Sequence, residues 1–202
     1  MPKLLILGAS GAIAQQMIHQ FQHQAPTNWS LRLLVRDHHR LPLVQRLRAD
    51  IIEGDASDVD TLATALQNVD VVYSNLGDRH VDRFATSLLT AMHHQHVFPK
   101  LVWLAGAGVE NEATGETKVI AEEDQDILQQ HRHAIHAIET SNLNYTILRP
   151  VLLTDSAAKP AKLFPKGQLI TEQTVSRATV ANVALKACLT ETYARQSVGI
   201  AE

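Results

Sequence analysis

A glycine-containing turn near the start of the chain constrains the fold more than any other feature. Residues 4–7 form a short apolar run that is typical of a buried strand, and residues 13–21 place apolar side chains at helical spacing. Residues 8–14 lie between them and read Gly-Ala-Ser-Gly-Ala-Ile-Ala, the pattern G-x-x-G-x-x-A. This order of strand, glycine turn and helix predicts a βα unit of the kind that binds dinucleotides in parallel sheets.

Each small residue of this turn has a predicted role. Gly8 allows the strand to turn sharply, Gly11 allows the backbone to approach a pyrophosphate, and Ala14 lets the helix pack closely on the strand. The backbone N–H groups of Ala12 and Ile13 would then face the phosphates.

Ser10 adds a hydroxyl donor to the same turn. The alternative is a tight turn that binds no ligand. No G-K-[ST] sequence follows the turn, so it does not match a nucleoside-triphosphate loop.

Short apolar runs alternate with amphipathic stretches along the rest of the chain. Further strands are predicted over residues 31–35, 49–52, 70–74, 101–105, 145–148 and 197–200, with helices between them. The alternation predicts an α/β fold, a doubly wound parallel sheet that forms a single domain over residues 1–202.

Residues 151–175 interrupt the alternation because they contain two prolines and a glycine and show little periodicity. Ligands bind at the carboxyl ends of strands in open α/β sheets. We therefore predict that residues 151–175 form an insertion that covers the substrate.

Composition excludes several classes of protein. The 202 residues carry a net charge of -3, which disfavours nucleic-acid binding, and no apolar run approaches the ~20 residues of a membrane helix. The single cysteine, Cys188, cannot form an internal disulfide, so we expect a cytoplasmic protein. The histidine clusters at residues 93–96 and 131–136 lack cysteine support, and we predict no metal site from them.

The end of the second predicted strand bears on the choice of cofactor. Arg36 stands where NAD-binding proteins usually have an acidic residue, and a guanidinium there can bind a 2′-phosphate. Arg40 can add a second charge. These residues favour NADP(H) over NAD(H), although Asp37 is an alternative acceptor for the ribose hydroxyls.

Two later strand ends supply further candidate contacts. Asp55, followed by Ala56, could accept from the adenine amino group, although an aspartate of a simple turn is the alternative. Leu76 and Gly77 follow the fourth strand, where glycine permits close approach of a ligand. Ser57 is predicted to cap the next helix.

The chain resembles the atypical short-chain dehydrogenase/reductase superfamily, in its NmrA-like NAD(P)-binding branch. The resemblance lies in the glycine turn, in residues 34–42, and in the segments Asn-Tyr-Thr-Ile-Leu-Arg-Pro at 144–150 and Val-Ser-Arg-Ala-Thr-Val-Ala at 175–181. It implies a Rossmann fold, with cofactor contacts at residues 54–55 and 76–77.

The chain departs from this superfamily at the catalytic positions. Ala105 and Gly106 stand where the resemblance implies a catalytic serine, and Ile127 and His131 stand where it implies tyrosine and lysine. His131 is the remaining candidate proton donor near the nicotinamide, which we expect beside Gly106. The alternative is a histidine at the edge of the core.

Two functions from different classes fit these residues. The first is an NADPH-dependent reductase that passes hydride to a small planar acceptor, such as a flavin or quinone, whose proton comes from water. The second is a non-catalytic NADP(H)-sensing protein, as NmrA-like regulators are. A sugar-nucleotide epimerase is disfavoured because the tyrosine it needs is missing.

Overall fold

The computed structural model describes residues 1–77 and 79–202. The strands are β1 (Lys3–Leu7), β2 (Ser30–Val35), β3 (Asp50–Glu53), β4 (Val71–Ser74), β5 (Lys100–Leu104), β6 (Tyr145–Pro150), β7 (Leu152–Thr154), β8 (Lys162–Pro165), β9 (Thr174–Ser176) and β10 (Gln196–Ala201). The helices are α1 (Ala12–Gln24), α2 (Leu43–Arg46), α3 (Val59–Ala65), α4 (Val81–Gln95), α5 (Gly115–Glu123), α6 (Gln125–Thr140) and α7 (Arg177–Leu189). A short 3₁₀ helix spans His38–Arg40.

The central sheet of the described residues has eight strands in the order β3-β2-β1-β4-β5-β6-β10-β8. Its pairs are parallel except that β8 runs antiparallel to β10. The chain builds outward from β1 to β3 and then returns to add β4 on the other side of β1, which creates a switch point. The predicted doubly wound α/β fold is confirmed.

The two faces of the sheet are buried under different helices. Leu4 and Ile6 pack with α1 and α7, whereas Leu5 and Leu7 pack with α3, α4 and α6. Successive side chains of a strand point to opposite faces, so a strand covered on both sides must be apolar at every position.

The structure confirms one local prediction, the short helix after the 3₁₀ turn, and corrects another, the cap of α3. Helix α2 forms, but Leu43 and Leu47 are 61% and 76% exposed, and Gln45 is its buried residue. Helix α3 is capped by Asp58, whose carboxylate accepts from the backbone N–H groups of Asp60 and Thr61, and not by Ser57.

The insertion at residues 151–175 is more ordered than its sequence indicates. It contains β7 and β8 and the first residues of β9, and β8 extends the sheet beside β10. The N–H of Ile170 donates to the carbonyl of Glu112 at 2.8 Å, and Ala113 forms a bridge with Ile170. The insertion is therefore attached to the loop that follows β5, and its role as a cover stays a prediction.

Helix α5 is an element that the periodicity did not predict. Its single buried residue is Thr117, and the large side chains of Val119 and Ile120 are exposed. A helix with so little buried surface has no apolar stripe for periodicity to detect. Among the helices described, none is long and apolar enough to cross a membrane.

Candidate functional site

The glycine turn joins β1 to α1 at the switch point. Gly8 has φ +70°, which favours glycine, and its carbonyl accepts from the N–H of Gly11 at 3.0 Å. Among the described residues no side chain caps α1, as is also true of α2, α4 and α5, whereas α3, α6 and α7 are capped by Asp58, Asp124 and Ser176. No acidic residue lies in the first turn of α1. Within residues 1–77 and 79–202, the first N–H groups of α1 have no side-chain partner, which suits a phosphate.

Asn75 is a residue of this site that the sequence analysis did not include. A Cβ added to Gly11 would overlap its side-chain amide nitrogen. Its backbone N–H donates to Leu7 at 3.0 Å, and its side-chain oxygen accepts from the Tyr73 hydroxyl at 3.0 Å. Gly11 therefore also makes room for the segment after β4, and the one sequence signal for Asn75 is that it follows a buried strand.

Two other glycines line open space at the carboxyl end of the sheet. A Cβ added to Gly77, after β4, or to Gly106, after β5, meets no atom of a described residue beyond its chain neighbours within 4 Å. Two backbone hydrogen bonds hold the chain on either side of Gly106. The N–H of Ala105 donates to the carbonyl of Leu148 at 2.8 Å, and the N–H of Ala107 donates to the carbonyl of Pro150 at 2.9 Å. Both glycines therefore leave room for a ligand at positions where the sequence predicted cofactor contacts.

The arginines predicted for the 2′-phosphate are available to a ligand. Arg36 and Arg40 are exposed, and within the described residues neither forms an ion pair within 4.0 Å. Asp37 accepts from the N–H of His39 at 2.9 Å, so one of its oxygens is already used in a local turn. This contact weakens the alternative in which Asp37 serves as the ribose acceptor.

Asp55 forms the turn that the sequence offered as one of its two roles, and its contact with adenine stays a prediction. Its carboxylate accepts from the N–H of Ser57 at 2.7 Å and therefore shapes a turn, with Ala56 buried inside it. The pKa of Asp55 is lowered, first by the hydrogen bonds from Ser57 and then by Arg36 and Arg83. Asp55 is nevertheless exposed, so its carboxylate is accessible to a ligand.

Arg83 is a second residue that the sequence analysis missed. It lies on α4, one turn before Ser87, whose hydroxyl donates to the Ser57 carbonyl at 2.9 Å. Residues four apart share a helix face, so Arg83 faces the loop after β3, close enough to lower the pKa of Asp55. No local pattern distinguishes it from other exposed arginines.

His131 lies inside the protein on α6. Its side chain is 8% exposed, and within the described part of the chain its Nδ1 atom has no hydrogen-bond partner. Burial lowers its pKa from the usual 6.5, so the ring is neutral at pH 7. This environment favours the core-edge alternative over a cationic acid.

Helix α6 nevertheless borders the open space. Gln130 accepts from the N–H of His80 in the loop after β4, and Arg132 donates to the Val109 carbonyl at 2.9 Å in the loop after β5. The helix carries no tyrosine, and Tyr73 lies fully buried in the sheet, where burial raises its pKa.

A buried ion pair holds the loop after β5. The guanidinium of Arg149 is fully buried and pairs with Glu112, which is also buried, and with Glu110 at 3.3 Å. It also donates to the Ser197 hydroxyl at 2.9 Å. Arg149 belongs to the family signature at residues 144–150, but its ion-pair partners could not be predicted because they are distant in sequence.

The fold and this site define an α/β dinucleotide-binding protein. The chain belongs to the NAD(P)H-binding family, whose sequence profile matches residues 8–191. This membership agrees with the resemblance to the atypical short-chain dehydrogenases/reductases. No curated protein matches the sequence significantly.

Solved structures support the same family. A short-chain dehydrogenase/reductase from Veillonella parvula, solved in complex with NADP, is 26% identical to this chain with a TM-score of 0.88. The match covers 100% of this chain and 94% of the Veillonella protein. A Rossmann-fold NAD(P)-binding protein from Shigella flexneri is 30% identical with a TM-score of 0.84 and the same coverage. ChuY, an anaerobillin reductase from Escherichia coli, is 18% identical with a TM-score of 0.81. The match covers 99% of this chain and 97% of ChuY, and it shows that the two proteins share a fold.

Proposed function

We propose that the protein is an NADP(H)-dependent reductase that passes hydride to a small planar acceptor, such as a flavin or quinone. The observation that carries the proposal is the open space at Gly77 and Gly106, beside a helix whose first turn has no side-chain cap. The bound nicotinamide would supply the hydride. The Veillonella relative in complex with NADP supports the choice of cofactor.

The chain's own part in this reaction is to bind, orient and exclude water. The N–H groups of Ala12 and Ile13 would hold the pyrophosphate, and the backbone at Gly106 would set the position of the nicotinamide. Residues 151–175 would cover the acceptor. Flavins and quinones take their proton from water, so the neutral, buried His131 is not required.

We predict that Arg36→Gln weakens NADPH binding by roughly tenfold to a hundredfold, because a charge-assisted hydrogen bond contributes about 1.5–3 kcal/mol. NADH lacks the 2′-phosphate and should lose much less affinity. Calorimetry with both cofactors measures the difference, and Arg48→Gln is the matched control at an exposed arginine near the opposite end of the sheet. Equal losses for the two cofactors, or tighter binding of NADH to the unmodified protein, would contradict the assignment.

We predict turnover with flavins and quinones but not with aliphatic ketones or secondary alcohols. General acid catalysis typically contributes about 10²–10⁴-fold, so His131→Ala should cost less than about tenfold when water supplies the proton. Steady-state rates with a panel of acceptors, with NADPH affinity measured separately, test both points.

A loss of about a hundredfold at intact NADPH affinity would make His131 the acid after all. Because burial lowers the pKa of His131, the pH profile of such an enzyme would break below 6.5. Efficient reduction of a simple ketone would overturn the proposed acceptor class.

The alternative is a non-catalytic NADP(H)-sensing protein. The absence of tyrosine from α6 fits this alternative as well as it fits a reductase whose acceptor takes its proton from water. Tight NADPH binding with no oxidation by any acceptor of the panel would establish this alternative over the reductase.

A further inference from the structure

Three consecutive side chains with metal-binding atoms converge just after β2. Asp37, His38 and His39 each offer one donor atom, and these atoms lie within 4.8 Å of one another. We refer to these residues as the Asp37–His39 cluster. The two imidazole rings lie side by side, with centroids 4.1 Å apart and planes inclined by 35°.

A fourth residue from a different strand orients the cluster. The Oε2 atom of Glu53 lies 2.5 Å from Nδ1 of His38, and the register of β2 and β3 pairs Val35 with Glu53. With the proton on Nδ1 donated to this carboxylate, Nε2 of His38 carries the free lone pair. Histidines that bind metals almost always donate their other ring N–H to such a partner.

We propose that the Asp37–His39 cluster binds a divalent transition-metal ion such as Zn²⁺, with Glu53 orienting His38. Two imidazole nitrogens and a carboxylate oxygen are donors that suit Zn²⁺, Ni²⁺ and Cu²⁺, and water completes the coordination. Mg²⁺ prefers oxygen donors in an octahedral arrangement and does not suit this set.

The cluster is accessible from solvent. The side chain of His38 is 38% exposed, and His39 is exposed as well. The histidine clusters at residues 93–96 and 131–136, from which no metal site was predicted, lie elsewhere in the chain. The Asp37–His39 cluster could not be found from sequence spacing, because Glu53, the residue that orients His38, lies 15 residues further along the chain on another strand.

The proposal is tested by titrating Zn²⁺ into the chain without cofactor and without a polyhistidine tag, followed by calorimetry. We expect one ion per chain. His38→Ala should weaken binding at least about tenfold, and Glu53→Ala by about 10–100-fold, because loss of an orienting partner costs that much. Asp37→Asn removes the charged ligand while its side-chain oxygen still accepts from His39, so it should weaken Zn²⁺ binding with little effect on folding.

Matched controls are His94→Ala and His133→Ala, which remove exposed histidines outside the cluster and should leave the affinity unchanged. Absence of Zn²⁺ binding, equal losses in the controls, or full competition by Mg²⁺ would overturn the proposal. Because no cofactor is present, the result is independent of the proposed reductase function.

Discussion

Replacing Gly11 by valine is expected to abolish NADPH binding in a chain that still folds. The side chain would occupy the space through which the pyrophosphate approaches the first N–H groups of α1. Inside the protein it meets the amide nitrogen of Asn75, and moving that side chain costs its hydrogen bond from the Tyr73 hydroxyl, so we expect the variant to fold with a lower unfolding temperature. Calorimetry measures binding, and circular dichroism with thermal unfolding reports the fold.

Gly77→Val separates cofactor exclusion from misfolding. A Cβ at Gly77 meets no atom of a described residue beyond its chain neighbours within 4 Å, so the variant should unfold at the same temperature as the unmodified protein. It should nevertheless bind NADPH more weakly, because the added side chain occupies the space proposed for the cofactor. If folded Gly11→Val keeps full affinity, our assignment of the glycine turn is wrong.

Replacing Arg149 by methionine is expected to destabilise the protein by about 3–5 kcal/mol, the cost of leaving a buried charge without its partner. Glu112 is 2% exposed, so water cannot replace the lost guanidinium. The free energy of unfolding, from urea titration at pH 7, measures the loss.

Arg177→Met provides the matched control for this prediction. Arg177 pairs with Asp155 at 2.8 Å, but the Asp155 side chain is 89% exposed, and such pairs contribute about 0–1 kcal/mol. The double variant Arg149→Met with Glu112→Gln should recover part of the stability, since one buried charge disappears. A loss for Arg149→Met no larger than that of the control would contradict the role of the buried pair.

The same ion pair affects the site, because Glu112 belongs to the loop that begins at Gly106. This loop binds the insertion through Ile170. Arg149 therefore holds the loop that contains Gly106 and that is hydrogen-bonded to the insertion. The sequence contains the signature to which Arg149 belongs, but the structural role of Arg149 is clear only from its ion pairs with Glu110 and Glu112.

The outcome at particular residues shows which features sequence patterns reveal. Local sequence determines the glycine turn, the strands and the longer amphipathic helices. These elements could therefore be predicted from hydrophobic periodicity and from the spacing of the glycines. Helix α5 could not be predicted from periodicity because it buries only one residue, Thr117. At α2, apolar residues predicted a helix correctly, yet exposure of Leu43 shows that periodicity does not determine what a helix face meets.

The sequence by itself determined the βα alternation, the place of the glycine turn and the candidate arginine after β2. Only the tertiary structure decided that Asn75 packs against Gly11, that Arg83 faces Asp55 and that Arg149 pairs with Glu112. The physical reason is separation along the chain: Arg149 and Glu112 lie 37 residues apart. Such contacts arise from the packing of distant strands and loops, which no local pattern of residues encodes.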